Sequence, residues 1–273
     1  MLAAACMASH WPAVQDSPRA PIRGDNGHHL RMESASDTAA RSLIITADDY
    51  GYWPSYNEGI LAAVEAGAID AVSAMVDRDH CDPAPLLEAE VEVGLHVEFE
   101  GRWGPRSGAP ARNSLRVQID RFTDMFRRWP AFLNGHHHCH ARPELATPVL
   151  QAAQQMGIPV RSVSPDHRQW LRERGIATPD LLIGRIASNE PVDPPELREL
   201  PVGVTEWFTH PGYPDSASGS DYDIARREDL EAVLRARVRE RFDRPVWGDA
   251  VRTVHAEAWR YEGGPLEEAR RER

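Results

Sequence analysis

Cysteine is scarce in this sequence: Cys6, Cys81 and Cys139 are the three among 273 residues. An odd, sparse set is no disulfide framework and points to a reducing compartment, the cytoplasm. Long apolar runs are missing as well. No stretch reaches the ~20 residues that a membrane-spanning helix needs. The opening MLAAAC has a short apolar stretch but no basic region before it, which makes it a poor secretion signal. Positive charge is in deficit, with 31 Lys and Arg against 42 Asp and Glu and a formal net charge of -11. That excludes the broad basic footprint of a general nucleic-acid binder and docking on an anionic membrane surface.

What remains is the composition of a globular protein, 41% hydrophobic and 27% charged. Residues 1–40 are rich in Ala, Ser, Pro, Asp and Arg and lack periodicity. They read as a disordered extension or an over-called start, with Met32 as an alternative beginning. Residues 41–262 read as one domain and 263–273 as a charged tail. The domain opens on Leu43, Ile44 and Ile45, an apolar run that ends at Asp48 and Asp49. Strands are expected at 43–47, 69–76, 91–99, 132–134, 158–163 and 202–209. Helices are expected at 55–66, 83–89, 115–128, 144–156 and 225–242, and 178–195 reads as loop with a short helix. Segment 91–99 alternates strictly, with Val91, Val93, Leu95, Val97 and Phe99 on one face and Glu92, Gly94, His96 and Glu98 on the other. Alternating strands and helices imply a parallel α/β architecture of six or seven units. The polar candidates fall at strand C-termini, where such folds build active sites.

Two clusters carry chemistry. Asp48 and Asp49 crowd two carboxylates at one strand end, which is unfavourable without a cation or proton. An Asx turn or helix cap is the structural alternative. The run Asn134-Gly135-His136-His137-His138-Cys139-His140 places four imidazoles in five positions. Neutral imidazole is a common ligand of transition metals. On an extended strand His136 and His140 would lie about 13 Å apart, at about 3.3 Å per residue, too far for one metal. Either the chain curls there or one of them ligates. His96 sits on the polar face of the alternating strand, beside Gly94. His210 follows the 202–209 strand and suits a general acid. Cys139 has no base–orienter pair that would make it a nucleophile.

Together these motifs resemble the YdjC-like carbohydrate deacetylases. The pieces are TADDYG at 46–51, Asn57-Glu58-Gly59-Ile60, VGLHVEF at 93–99, NGHHHCHARP at 134–143, Val160-Arg161 and EWFTHPGY at 206–213. The resemblance implies an irregular, TIM-like (β/α) barrel of about seven parallel strands, like that of polysaccharide deacetylases. It implies one divalent ion, magnesium or zinc, on Asp49, His96 and His136. Asp48 corresponds to the general base and His210 to the general acid. Arg161, His138 and His140 correspond to residues facing the substrate. The expected activity is hydrolysis of the N-acetyl group of an amino-sugar-containing carbohydrate, releasing acetate. Tyr50 stands where the family has Phe, and the segment between His96 and His136 is short. The rival readings are a metal-dependent hydrolase of another bond, such as a phosphoester, and a non-catalytic metal- or sugar-binding module. A homodimer is an open expectation for its assembly.

Overall fold

A computed structural model describes residues 41–89, 91–99, 111–190, 193–195, 200–236 and 247. The segments 1–40 and 263–273, and the expected continuation of the last helix to 242, lie outside the described residues.

Six strands form one parallel sheet: β1 (Arg41–Tyr50), β2 (Ala71–Ala74), β3 (Glu92–Val97), β4 (Leu133–Gly135), β5 (Leu181–Ile183) and β6 (Gly203–Thr209). Their order is β4-β3-β2-β1-β6-β5. The helices are α1 (Pro54–Glu65), α2 (Ala84–Glu88), α3 (Ala111–Phe126), α4 (Pro143–Met156), α5 (Pro165–Arg172) and α6 (Asp223–Arg235). α1 begins on Pro54, which needs no amide partner in the first turn. α4 ends at Gly157 in the left-handed region, a conformation glycine adopts without strain.

The sheet curls. Beyond β4 the chain makes a single bridge, Leu133 to Val160, in place of the strand expected at 158–163. The Leu133 amide donates to the Pro159 carbonyl and the Arg161 amide to the Leu133 carbonyl. Pro159 has no amide to extend the ladder, and Ser164 caps the start of α5 soon after, so no full strand forms. The Val160 amide then donates to Ala177, and the Asp180 amide to Val204 beside β5. The result is a curled, irregular half-barrel with six strands among the described residues, where about seven were expected. α5 falls where no helix is expected, and the described part of 178–195 is loop apart from the short strand β5.

The curl explains the alternation in β3. Its apolar face, with Val93, Leu95 and Val97, packs in the main core under the helices. Its polar face turns into the barrel, and His96 is only 2% exposed. Gly94 leaves room for Phe132, whose Cζ would lie 2.5 Å from a Cβ built there. The indole of Trp247 stacks on Phe132 with centroids 4.4 Å apart and donates to Thr46 Oγ1. These residues, with Ile44, Ala71 and Val204, fill the end where the strands begin. The opposite end receives the polar side chains.

Candidate active site

Each candidate residue sits at a strand C-terminus or just past one. Asp48 and Asp49 end β1, His96 lies near the end of β3, His136 follows β4, Arg161 follows the Val160 bridge, and His210 follows β6. The β1–β2 register shifts between Ala47 and Tyr50, and Asp49 adopts φ 69. Asp tolerates the left-handed region better than most side chains. This irregularity sends the neighbouring carboxylates to different partners, as bulges near sites do.

Asp48 points into the barrel. Arg161 Nη1 donates to its Oδ2 at 2.5 Å and Arg161 Nη2 to its Oδ1 at 3.0 Å. Asn134 Nδ2 adds a third bond to Oδ1 at 3.0 Å. Burial pushes the Asp48 carboxyl up, but the Arg161 charge and hydrogen bonds outweigh it and hold it below the usual carboxylate range. Arg161 is shared with Glu206, through Nε at 2.9 Å and Nη2 at 2.6 Å to Oε1. Burial raises the Glu206 carboxyl against that pull.

Asp49 faces the rim. Its Oδ1 lies 2.9 Å from His136 Nδ1 and 3.1 Å from His96 Nε2, and all three residues present ligand atoms within 4.8 Å of one another. Its Oδ2 accepts from Arg226 Nη2 at 2.6 Å. Burial again raises the carboxyl, while His136 and Arg226 pull it well below the usual value.

The hydrogen-bond pattern fixes the orientation of His96. An ionised Asp48 only accepts, so the Asn134 amide nitrogen faces it and the Asn134 oxygen faces His96. His96 Nδ1, 2.7 Å from that oxygen, therefore carries the hydrogen, with Ser73 Oγ 3.1 Å away. Nε2 is buried and faces Asp49 Oδ1 at 3.1 Å, so the two atoms converge on one point as ligands of a shared cation would. An oriented imidazole, an anchored carboxylate and a second imidazole fit one divalent metal, with Asn134 in the outer role that fixes a ligand histidine.

The histidine run does curl. Residues His136–Ala141 form a 3₁₀ turn in which His137 and His138 take positive φ. This gives the imidazoles different partners. His136 joins Asp49. His137 stacks on His136 with centroids 4.0 Å apart. His138 meets the Phe208 ring edge-on and leaves Nδ1 unpartnered. Burial first, then Arg161, pushes the His138 imidazole down to about 3, so it is neutral. His140 is fully buried, with Nε2 3.0 Å from the Arg161 carbonyl. Arg161 also has no exposed surface. Arg161 and His140, expected to face substrate, are both buried, Arg161 on Asp48 and Glu206 and His140 on the Arg161 carbonyl.

His210 is anchored by α6. Its amide donates to Asp229 Oδ2 at 2.8 Å, and its Nδ1 lies 3.7 Å from the same oxygen. Arg185 Nη2 donates to Asp229 Oδ1 at 2.6 Å. The residues after His210 seat on α1, where a Cβ at Gly59 would come within 2.5 Å of Gly212 Cα. Ser73, Asn134, Arg185, Glu206, Arg226 and Asp229 thus belong to the site although the sequence reading assigned none of them a role. Glu206 and Asn134 lie inside the quoted motifs, and a charge or amide within an otherwise apolar strand is the signal that could have found them.

The family model described as YdjC-like protein matches residues 42–115 and 102–244. A carbohydrate deacetylase of Geobacillus stearothermophilus is 29% identical over 223 residues, covering 71% of this chain and 89% of its own length. A mouse carbohydrate deacetylase is 28% identical over 149 residues, and the match spans 42% of this chain and 48% of that protein. A solved structure from Enterococcus faecalis V583, named for cellobiose-phosphate cleavage, superposes with TM-score 0.60 at 21% identity, covering 74% of this chain and 93% of that one. That likeness shows the fold. The family match spans the barrel strands and every residue of the Asp–His–His cluster, and the chain belongs to the YdjC-like protein family.

Proposed function

We propose that this protein is a metal-dependent carbohydrate N-deacetylase, which removes the acetyl group from an amino-sugar-containing substrate and releases acetate. The observation that carries it is the split of the acidic pair: a buried, ionised Asp48 stands next to a candidate metal cluster of Asp49, His96 and His136. The relatives named carbohydrate deacetylase supply the bond and the substrate class.

Asp49, His96 and His136 hold one divalent ion, zinc on ligand grounds or magnesium. When bound, such an ion lowers the pKa of a water and polarises the amide carbonyl. Asp48 keeps a lone pair beyond its bonds to Arg161 and Asn134 and accepts the proton of the attacking water. Arg161 orients that carboxylate, and His140 holds the Arg161 backbone. His210, steadied by Asp229, gives its proton to the leaving amine. His138 is neutral and donates a hydrogen bond to the substrate. Among the described residues no helix is long and apolar enough to cross a membrane. Cys81 and Cys139 are both buried, and the sparse cysteine content supports a cytoplasmic setting.

The test is acetate release from N-acetylated mono- and oligosaccharides, with and without chelator, beside phosphate release from sugar phosphates. Chelator-sensitive acetate release is the expected result. Phosphate release instead would replace the deacetylase reading with phosphoester hydrolysis, and binding without turnover would make the protein a sugar-binding module.

A further inference from the structure

Helix α6 reaches the site through two side chains one turn apart. Asp229 serves His210, and Arg226 serves Asp49. Residues three apart on a helix share a face, so one rigid element holds both sides of the site.

The surroundings of Arg226 are unusual for a buried guanidinium. The residue is 2% exposed. Its Cζ lies 4.0 Å from the Tyr56 ring centroid, with Tyr52 at 5.5 Å and Tyr222 at 5.8 Å. Tyr56 is held in turn by Asp223 Oδ1, which accepts its hydroxyl at 2.8 Å. Nε and Nη1 of Arg226 have no hydrogen-bond partner among the described residues. The aromatic faces support the cation, and among the described residues its one ion pair is Nη2 on Asp49 Oδ2 at 2.6 Å. The other oxygen, Oδ1, is the one that faces both imidazoles.

We propose that Arg226 is a positioning residue for the metal centre, which reserves Oδ2 and leaves Asp49 to ligate through Oδ1 alone. This rests on reading Asp49, His96 and His136 as the metal triad. A carboxylate free to turn would offer both oxygens, raise the coordination number and take up positions remote from the imidazoles. Outer partners of this kind commonly contribute about 10–100-fold to metal affinity.

The experiment uses the metal-free full chain, titrated with Zn²⁺ against a chromophoric chelator and with Co²⁺ followed by visible absorption. Far-UV circular dichroism checks the fold. Arg226→Met should bind Zn²⁺ about tenfold or more weakly. Its Co²⁺ band should weaken, because a higher coordination number gives fainter d–d absorption. Arg226→Lys keeps the charge but offers one ammonium in place of the fork, and should fall between Met and the parent. A folded Arg226→Met with parental Zn²⁺ affinity and an unchanged Co²⁺ spectrum overturns the proposal. If the Met variant does not fold, an Arg226→Lys variant identical to the parent in both readouts overturns it. Failure of the parent itself to bind either metal would remove the triad reading, a result distinct from loss confined to the variants.

Discussion

Asp48 and Asp49 share a peptide bond and little else. One is fixed by Arg161 and Asn134 inside the barrel, the other by Arg226 and two imidazoles at the rim. Their substitutions should separate accordingly. Asp48→Asn should keep the bound metal and lose acetate release by about 10²–10⁴-fold, the usual contribution of a general base. An active variant would remove Asp48 from that role. His136→Ala should instead lower the metal bound per chain, measured by elemental analysis after dialysis. Metal content equal to the parent would take His136 out of the ligand set. Glu206 and Arg161 were less legible than this pair. EWFTHPGY shows the glutamate, but only packing reveals that it meets Arg161, 45 positions earlier, inside the barrel.

At the scale of elements, strand β3 was the most legible piece. Its strict alternation placed His96 on a polar face, and the structure shows that face buried. Sequence periodicity tells two faces apart but does not say whether the polar one meets water or other polar side chains. Gly94 is where that interior is tightest. Gly94→Ala would put a methyl against Phe132, and Trp247 stacked on the ring limits its retreat. The expected cost is about 1–3 kcal/mol of stability, read as a lower thermal midpoint. Phe132→Leu should restore part of it in the double variant, and an undiminished midpoint for Gly94→Ala would refute the packing account. α5 shows a signal that was present and passed over. Ser164-Pro165-Asp166 is a helix start, with Ser164 Oγ accepting from the His167 amide at 3.1 Å. β5 had no comparable signal, because its three residues, Leu181–Ile183, are too few for a period and form a strand only beside β6.

For the whole molecule, burial of neutral histidines ties stability to pH. His167 is 1% exposed, and burial pushes its imidazole down to about 3, as burial and Arg161 do for His138. Unfolded histidine titrates near 6.5, so between about 6.5 and 3 the unfolded chain binds more protons than the folded one. Stability is fully present above about 6.5 and is lost as pH falls below it. Each such histidine adds a slope of up to ~1.4 kcal/mol per pH unit. Urea unfolding at pH 7.5, 6.5 and 5.5, with chelator to remove metal linkage, should show the decline. His167→Gln should make it shallower by about one proton. Equal stability at all three values would rule out these buried neutral imidazoles.

The sequence by itself determined the local events. Apolar runs ending in Asp48-Asp49 and Phe132–Asn134, the alternation around His96 and the stop at Gly157 are short-range patterns set by backbone period and side-chain polarity. From these came the parallel α/β class and the strand-end location of the site, while the choice of Asp49, His96 and His136 as a set came from the family resemblance. Tertiary structure decided the rest. It reduced the expected 158–163 strand to one bridge, because Pro159 and the α5 start interrupt the ladder. It gave the four clustered histidines different partners through a turn with two positive φ angles. It also set Arg226 on Asp49 across 177 positions of sequence. Contacts at such separation follow from how helices pack on a curled sheet, and no local period encodes them.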